Sequence, residues 1–161
     1  MNIEQLKLLI AEGEGLTVEF KEKYTPKIDR DVVAFSNTKG GYILLGVDDA
    51  GNINGEKLTN RMKAEVTDLD RKCEPPITVN KMFQVEKVIV IEIEEGPEKP
   101  YSSSDGYFRR LDAVTQKMNR KELNYFQKMQ LRFFDITALP LSVLLKAIVL
   151  KTRRRTWGKI F

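Results

Sequence analysis

Apolar residues recur along this chain with two different periods, and the switches between them mark its elements. Ile3, Leu6, Leu9 and Ile10 share one face of a helix over residues 3–11, with Asn2 placed to cap it and Gly13 and Gly15 placed to end it. From Thr17 to Tyr24 the period drops to two, so Val18 and Phe20 point one way and Glu19 and Lys21 the other. Thr25-Pro26 then reads as a helix start, and Ile28, Val32, Val33 and Phe35 form its inward stripe to about Thr38. Gly40-Gly41 stops that helix, and the unbroken apolar run Tyr42 to Val47 reads as a central strand. Asp49 to Asn52 is a turn, with Ile53-Asn54-Gly55 as a short return strand.

The second half continues in the same way. Thr59 caps a helix to about Cys73 with Met62, Val66 and Leu69 inward, and Pro75-Pro76 breaks it. Ile77 to Phe83 and Lys87 to Glu94 alternate and pair as a hairpin. Tyr101 opens a further strand, Asp105-Gly106 turns it, and Tyr107 to Arg110 returns. Asn119 caps a last helix, roughly Arg120 to Phe134. Helices and strands are mixed and neighbouring strands read as largely antiparallel, which defines an α+β class.

The end of the chain breaks the pattern. Ile136 to Leu150 holds a single charge, Lys146, and is followed by the basic run Lys151 to Arg155. Fifteen helical residues span about 22 Å, short of a ~30 Å hydrocarbon core, so a buried or dimer-forming helix is expected there rather than a membrane span. The expected division is a domain over 1–126 and a helical apolar extension with a basic tail over 127–161. That tail also distorts the net charge of +4: without its five basic residues the chain carries 22 basic against 23 acidic groups, a balance of −1. Nucleic-acid contact by the body therefore needs a local patch.

Composition narrows the chemistry. The chain has no histidine, which excludes His-based acid–base catalysis, a Ser-His-Asp triad and the usual zinc sites. A metal would have to be a hard ion on carboxylates, Mg²⁺ or Mn²⁺. The single cysteine, Cys73, points to a reducing, cytoplasmic setting, and the first residues do not read as a signal peptide.

Three groups of residues could carry function. Glu14 and Glu19, five apart, together with Asp48 and Asp49 at the end of the Tyr42–Val47 strand, are either ligands of a metal-dependent nuclease, part of a polar binding face, or caps and turn formers. Asn37-Thr38-Lys39-Gly40-Gly41 either lets backbone N–H groups and Lys39 approach an anion or builds a tight helix-to-strand connection; it is not a P-loop. Lys21, Lys23, Arg109 and Arg110, interleaved with Tyr107 and Phe108, suit phosphate contact and base stacking, although only one of the pairs Tyr107/Arg109 and Phe108/Arg110 can face a ligand.

Taken in order, Gly13-Glu14, Glu19-Phe20-Lys21, the segment Val33 to Gly51, Gly55, and Tyr107-Phe108-Arg109-Arg110 with Thr115 resemble the Schlafen-type AlbA-like domain, over roughly residues 10–126. Such domains have been labelled DNA-binding, divergent AAA ATPase, or part of a transcriptional regulator. The resemblance implies an AlbA-like fold and contact with DNA or RNA, with a homodimer expected and a membrane partner not. Read from the residues themselves, phosphate contacts are expected on Lys21, Asn37, Lys39, Gly40, Gly41, Arg109 and Arg110. In animal Schlafen proteins three carboxylates of this domain serve a metal-dependent RNA endonuclease. Carried over by motif these are Glu14, Glu19 and either Asp48 or Asp49, with Mg²⁺ or Mn²⁺ as the ion. ATP binding at Gly40-Gly41 is a third reading. The chain departs from the family where a glycine often follows Tyr-x-Arg: here Leu111-Asp112 follows Arg110.

Overall fold

A computed structural model describes residues 1–137 of the chain. The chain divides into two compact units, Met1–Arg120 and a second that begins at Lys121. The first unit contains helices α1 (Ile3–Glu12), α2 (Ile28–Ser36) and α3 (Asn60–Thr67), the last running into a 3-10 turn at Asp68–Lys72. Its strands are β1 (Val18–Lys21), β2 (Gly41–Leu45), β3 (Val79–Val85), β4 (Val88–Ile93), β5 (Ser102–Ser103), β6 (Gly106–Leu111) and β7 (Val114–Lys117). Helix α4 (Arg120–Thr137) leads into the second unit, where the ring of Tyr125 stands edge-on to Phe126. From residue 138 on, the apolar stretch and the basic tail lie outside the described residues.

The four longest-range strands form one sheet in the order β1-β2-β4-β3. β1 and β2 run parallel, joined by α2 as the crossover, whereas β2–β4 and β3–β4 are antiparallel. β5, β6 and β7 form a second, antiparallel sheet. The α+β class and the largely antiparallel pairing are as the sequence indicates; the parallel pair is not visible in its alternation.

Side-chain alternation sorts the core onto the two faces of the larger sheet. Val18, Phe20, Leu44, Val88 and Val90 pack on Leu6 of α1. Ile43, Leu45, Ile89, Ile91 and Ile93 pack on α2 and on Val66 and Leu69, and Tyr101 and Phe108 close over this cluster from the second sheet. α2 thus lies between two sheets, and of its residues only Arg30 is not buried. It begins at Ile28, two residues after Pro26, with Lys27 at the cap and no side-chain cap bond.

Helix α1 shows its local determinants plainly. The Asn2 side chain accepts from Gln5 N at 2.8 Å while Gln5 Oε1 accepts from Asn2 N at 2.9 Å, a reciprocal cap. Asn2→Ala is expected to lower stability by about 1 kcal/mol and Asn2→Gly by only a few tenths, measured by urea denaturation. No loss in Asn2→Ala would show that the cap bonds contribute nothing.

Two expectations are corrected here. Ile53 makes only an isolated bridge to Val47, not a strand. Conversely, β7, a strand that the sequence pattern does not mark, returns from β6 through Asp112-Ala113, with Asp112 in the left-handed conformation at φ 54°.

Candidate functional site

The alternation of β1 sends Val18 and Phe20 towards α1 and leaves Glu19 and Lys21 on the α2 side. There they join a closed network of charges. Glu19 Oε2 accepts from Arg110 Nη1 at 2.6 Å, and its Oε1 lies 2.5 Å from Lys21 Nζ. Lys21 Nζ also lies 3.3 Å from Asp31 Oδ2. Thr115 Oγ1 donates to Asp31 Oδ1 at 2.6 Å and accepts from Arg110 Nη1 at 3.0 Å. Arg110 Nη2 donates to the carbonyl of Gly15 at 2.7 Å, and its guanidinium stacks on the Phe35 ring at 4.9 Å.

Two acids and two bases therefore balance, and Glu19, Asp31 and Arg110 are each less than a tenth exposed. A buried charge is tolerated when it is paired and hydrogen-bonded in this way. Burial pushes the Lys21 ammonium down, but its hydrogen bond to Glu19 and the charge of Asp31 outweigh this and hold it above its ordinary value. Its contribution to stability is therefore present at neutral pH and is lost only as pH climbs through that raised value.

Sequence reasoning missed Asp31 and Thr115. A signal for Asp31 existed: it falls three residues after Ile28 and four before Phe35, on the apolar stripe of α2, where an acid needs a buried partner.

Glu14 and Asp49 border this network. Glu14 Oε1 accepts from Phe20 N at 2.9 Å. Burial raises the Glu14 carboxyl, the Phe20 bond opposes that, and the charges of Glu19 and Asp49 raise it further. Stability then falls as pH climbs from the ordinary carboxyl value through the raised one, because the folded state holds the proton longer. Asp49 is exposed and shares this field; Asp48 does not.

Asp48 instead closes the loop after β2. Its carboxylate accepts from Ala50 N, Asn52 N and Asn52 Nδ2 at 3.0, 2.8 and 3.0 Å. The Asn52 side-chain bond, followed by its backbone bond, holds Asp48 below the usual carboxylate range. Asp48 is thus a turn former, and the aspartate whose charge acts on Glu14 is Asp49.

As arranged, Glu14, Glu19 and Asp48 bond to the protein's own cations and backbone. Both oxygens of Glu19 are taken, and among the described residues no group of three acidic or sulfur side chains stands close enough to hold an ion. An ion would have to displace the Lys21 ammonium. Metal binding at Glu14, Glu19 and Asp48 or Asp49 would need this network to open.

The Asn37–Gly41 segment is likewise used within the fold. Asn37 Nδ2 donates to the carbonyls of Tyr101 and Phe108, both at 2.8 Å, and its Oδ1 accepts from Tyr101 N at 2.7 Å. Gly40 has φ 68° and Gly41 φ 151°; a Cβ on Gly40 would stand 2.5 Å from Ile93 O, and one on Gly41 would strike Thr17 O. Gly40 N donates to Phe35 O at 2.9 Å. The glycines admit the protein's own backbone rather than a phosphate, which corrects the anion and nucleotide readings for Asn37, Gly40 and Gly41. Lys39 between them is exposed.

On β6 the inward pair is Phe108 and Arg110, so Arg110 is corrected from a phosphate contact to a buried anchor. Tyr107 and Arg109 point outward, half-buried, with Gln116 opposite Arg109 across the ladder and exposed Lys117 opposite Phe108.

The fold and this arrangement define an α+β domain whose second sheet is pinned to the first through a buried ion network. The family model described as "Schlafen, AlbA_2" matches residues 14–119, and the chain belongs to that family, whose membership suggests a nucleic-acid-binding domain. No curated protein matches the chain. Among solved structures it is similar to the crystal structure of the DIP2311 protein from Corynebacterium diphtheriae, at 18% identity and a TM-score of 0.57. That match covers 78% of this chain but only 28% of DIP2311, and at this identity it shows the fold alone. Among the described residues no helix is long and apolar enough to cross a membrane.

Proposed function

We propose that this protein is a nucleic-acid-binding module of a regulator, acting in a reducing cytoplasm, that grips phosphates from the outer face of β6–β7 and from Lys39. The observation that carries this reading is the division of β6. Burying Phe108 and Arg110 turns Tyr107 and Arg109 outward on the face that Gln116 shares, a basic and aromatic pair suited to phosphate and base contact. Lys21, held between Glu19 and Asp31, contributes field rather than a direct contact. The seven-residue strand β3 at the open edge of the larger sheet supports pairing with a second copy.

The test is fluorescence anisotropy with labelled single-stranded DNA and RNA across a salt series. Binding should weaken steeply with salt, and Lys39→Glu with Arg109→Glu should flatten the slope by about 0.7–0.9 per lost contact. Absence of binding near 50 mM salt overturns the reading.

A second reading is a Mg²⁺- or Mn²⁺-dependent endonuclease using Glu14, Glu19 and Asp49. The raised carboxyl of Glu14 in the field of the other two supports it. Asp49→Asn is the clean variant, since Asp49 is exposed and its loss should leave the fold intact. Metal-dependent cleavage of labelled RNA that this variant abolishes would favour the nuclease; intact substrate in Mn²⁺ would exclude it.

A further inference from the structure

A second cavity, of about 270 Å³, opens at the end of the larger sheet away from Lys21 and Asp49, where β4 runs out beside the start of β2. Its lining is rich in acceptors and poor in donors. Pro75, Pro76 and Pro97 have no backbone N–H to offer. The N–H of Gly96 already donates to Ser36 O at 2.9 Å, and that of Glu98 to the Tyr101 hydroxyl at 3.0 Å. What remains includes carboxylate from Glu94, Glu95 and Glu98, together with the hydroxyls of Ser36 and Thr78. Ser36 is only 1% exposed, and its Oγ has no hydrogen-bond partner. A buried hydroxyl without a partner is costly, and it points to a ligand that supplies one.

The protein shows how this region receives a cation. Lys99 Nζ donates to Glu95 Oε1 at 2.5 Å and to Thr38 O at 2.6 Å, so an ammonium is held by one carboxylate and one backbone carbonyl. That pairing satisfies Glu95 and leaves Glu94 and Glu98 as negative charge on the rim. Phosphate is repelled here, so the cavity is not an extension of the nucleic-acid face. The proline rings and Ile77 offer apolar walls for a methylene chain.

We propose that this cavity binds the primary ammonium end of a small aliphatic polyamine. The ammonium bonds the carboxylates of Glu94 and Glu98 with Ser36 Oγ as a further acceptor, and the methylenes lie along the proline and isoleucine side chains.

The test is calorimetric titration of spermidine and putrescine into the full chain at about 0.1 M salt, where exposed charges are already screened. Saturable one-site binding is expected, with Glu94→Gln/Glu98→Gln weakening it about tenfold or more, the scale of losing charged hydrogen bonds. Ser36→Ala should weaken it less, and spermidine acetylated at both primary amines should not bind. Both glutamates are exposed, so circular dichroism should show the double variant folded. The proposal fails if no saturable heat appears. It also fails if the double variant binds spermidine unchanged, or if Mg²⁺ displaces spermidine at equal concentration, which would reveal a general acidic surface. Tighter binding of a blocked lysine than of spermidine would assign the cavity to a protein partner's side chain and overturn it as well.

Discussion

Arg110→Ala lowers the unfolding free energy by about 3–5 kcal/mol, the scale seen when one partner of a buried ion pair is removed. The change does more than delete a contact. It strips Glu19 of its 2.6 Å partner, leaves the Gly15 and Val18 carbonyls without the Nη2 donor, and opens space against Phe35. Lys21 keeps a hold on Glu19, so the loss stays below that of a wholly orphaned carboxylate. Arg110→Lys should not restore stability, because a single ammonium cannot reach Glu19, Thr115 and Gly15 together. Urea denaturation of Arg110→Ala, Glu19→Gln and the double variant forms a cycle in which coupling should exceed about 1 kcal/mol. Additive losses would mean the pair is no more than neighbouring polar surface.

The second large effect belongs to Asn37. Its one amide satisfies three backbone groups, two on Tyr101 just before β5 and one on Phe108 of β6, and replacement by alanine leaves Tyr101 N, Tyr101 O and Phe108 O buried without it. At roughly 1–3 kcal/mol for each buried unsatisfied group, with some recovery by relaxation, Asn37→Ala should cost about 3–5 kcal/mol. Asn37→Asp discriminates further. An aspartate can still accept from Tyr101 N but faces two carbonyl oxygens with negative charge, which raises its folded pKa. The folded state then binds the proton more tightly than the unfolded one, so the variant should be most stable in acid and weaken as pH climbs through the raised value. Thermal melts of Asn37→Asp at pH 4.5 and pH 7.5, each against the parent chain, would show this; a pH-independent difference would place the side chain in contact with water.

These two residues also show what could be read in the chain and what could not. The split of Val18/Phe20 from Glu19/Lys21, the caps at Asn2 and Thr59 and the hairpin over Val79–Ile93 follow from local periodicity and turn chemistry, so the sequence carries them openly. The parallel pairing of β1 with β2 is a long-range choice that alternation does not encode. β7 stayed hidden because Val114-Thr115-Gln116-Lys117 is mostly exposed and its turn uses Asp112 in place of a glycine. At the site, the motif named Glu14, Glu19 and the Asp48-Asp49 pair. Only the structure separates Asp48, which makes a turn, from Asp49, whose charge acts on Glu14. Asn37 and Gly40-Gly41 look the same in sequence whether they hold a ligand or the backbone of the neighbouring strand.

The partners that close this domain lie far apart along the chain: Glu19 and Arg110 are separated by 91 residues, and Asn37 and Phe108 by 71. At synthesis rates of roughly 5–20 residues per second, Glu19 waits on the order of 5–20 s for its arginine to be made. During that interval β1 and α2 have been translated, but the charges of Glu19, Lys21 and Asp31 carry an unbalanced acid. A nascent chain stalled between β4 and β6 would expose the α2 face that Tyr101 and Phe108 later cover. Chaperone capture or degradation of such stalled chains is the natural consequence of placing the clasp near the end of the domain.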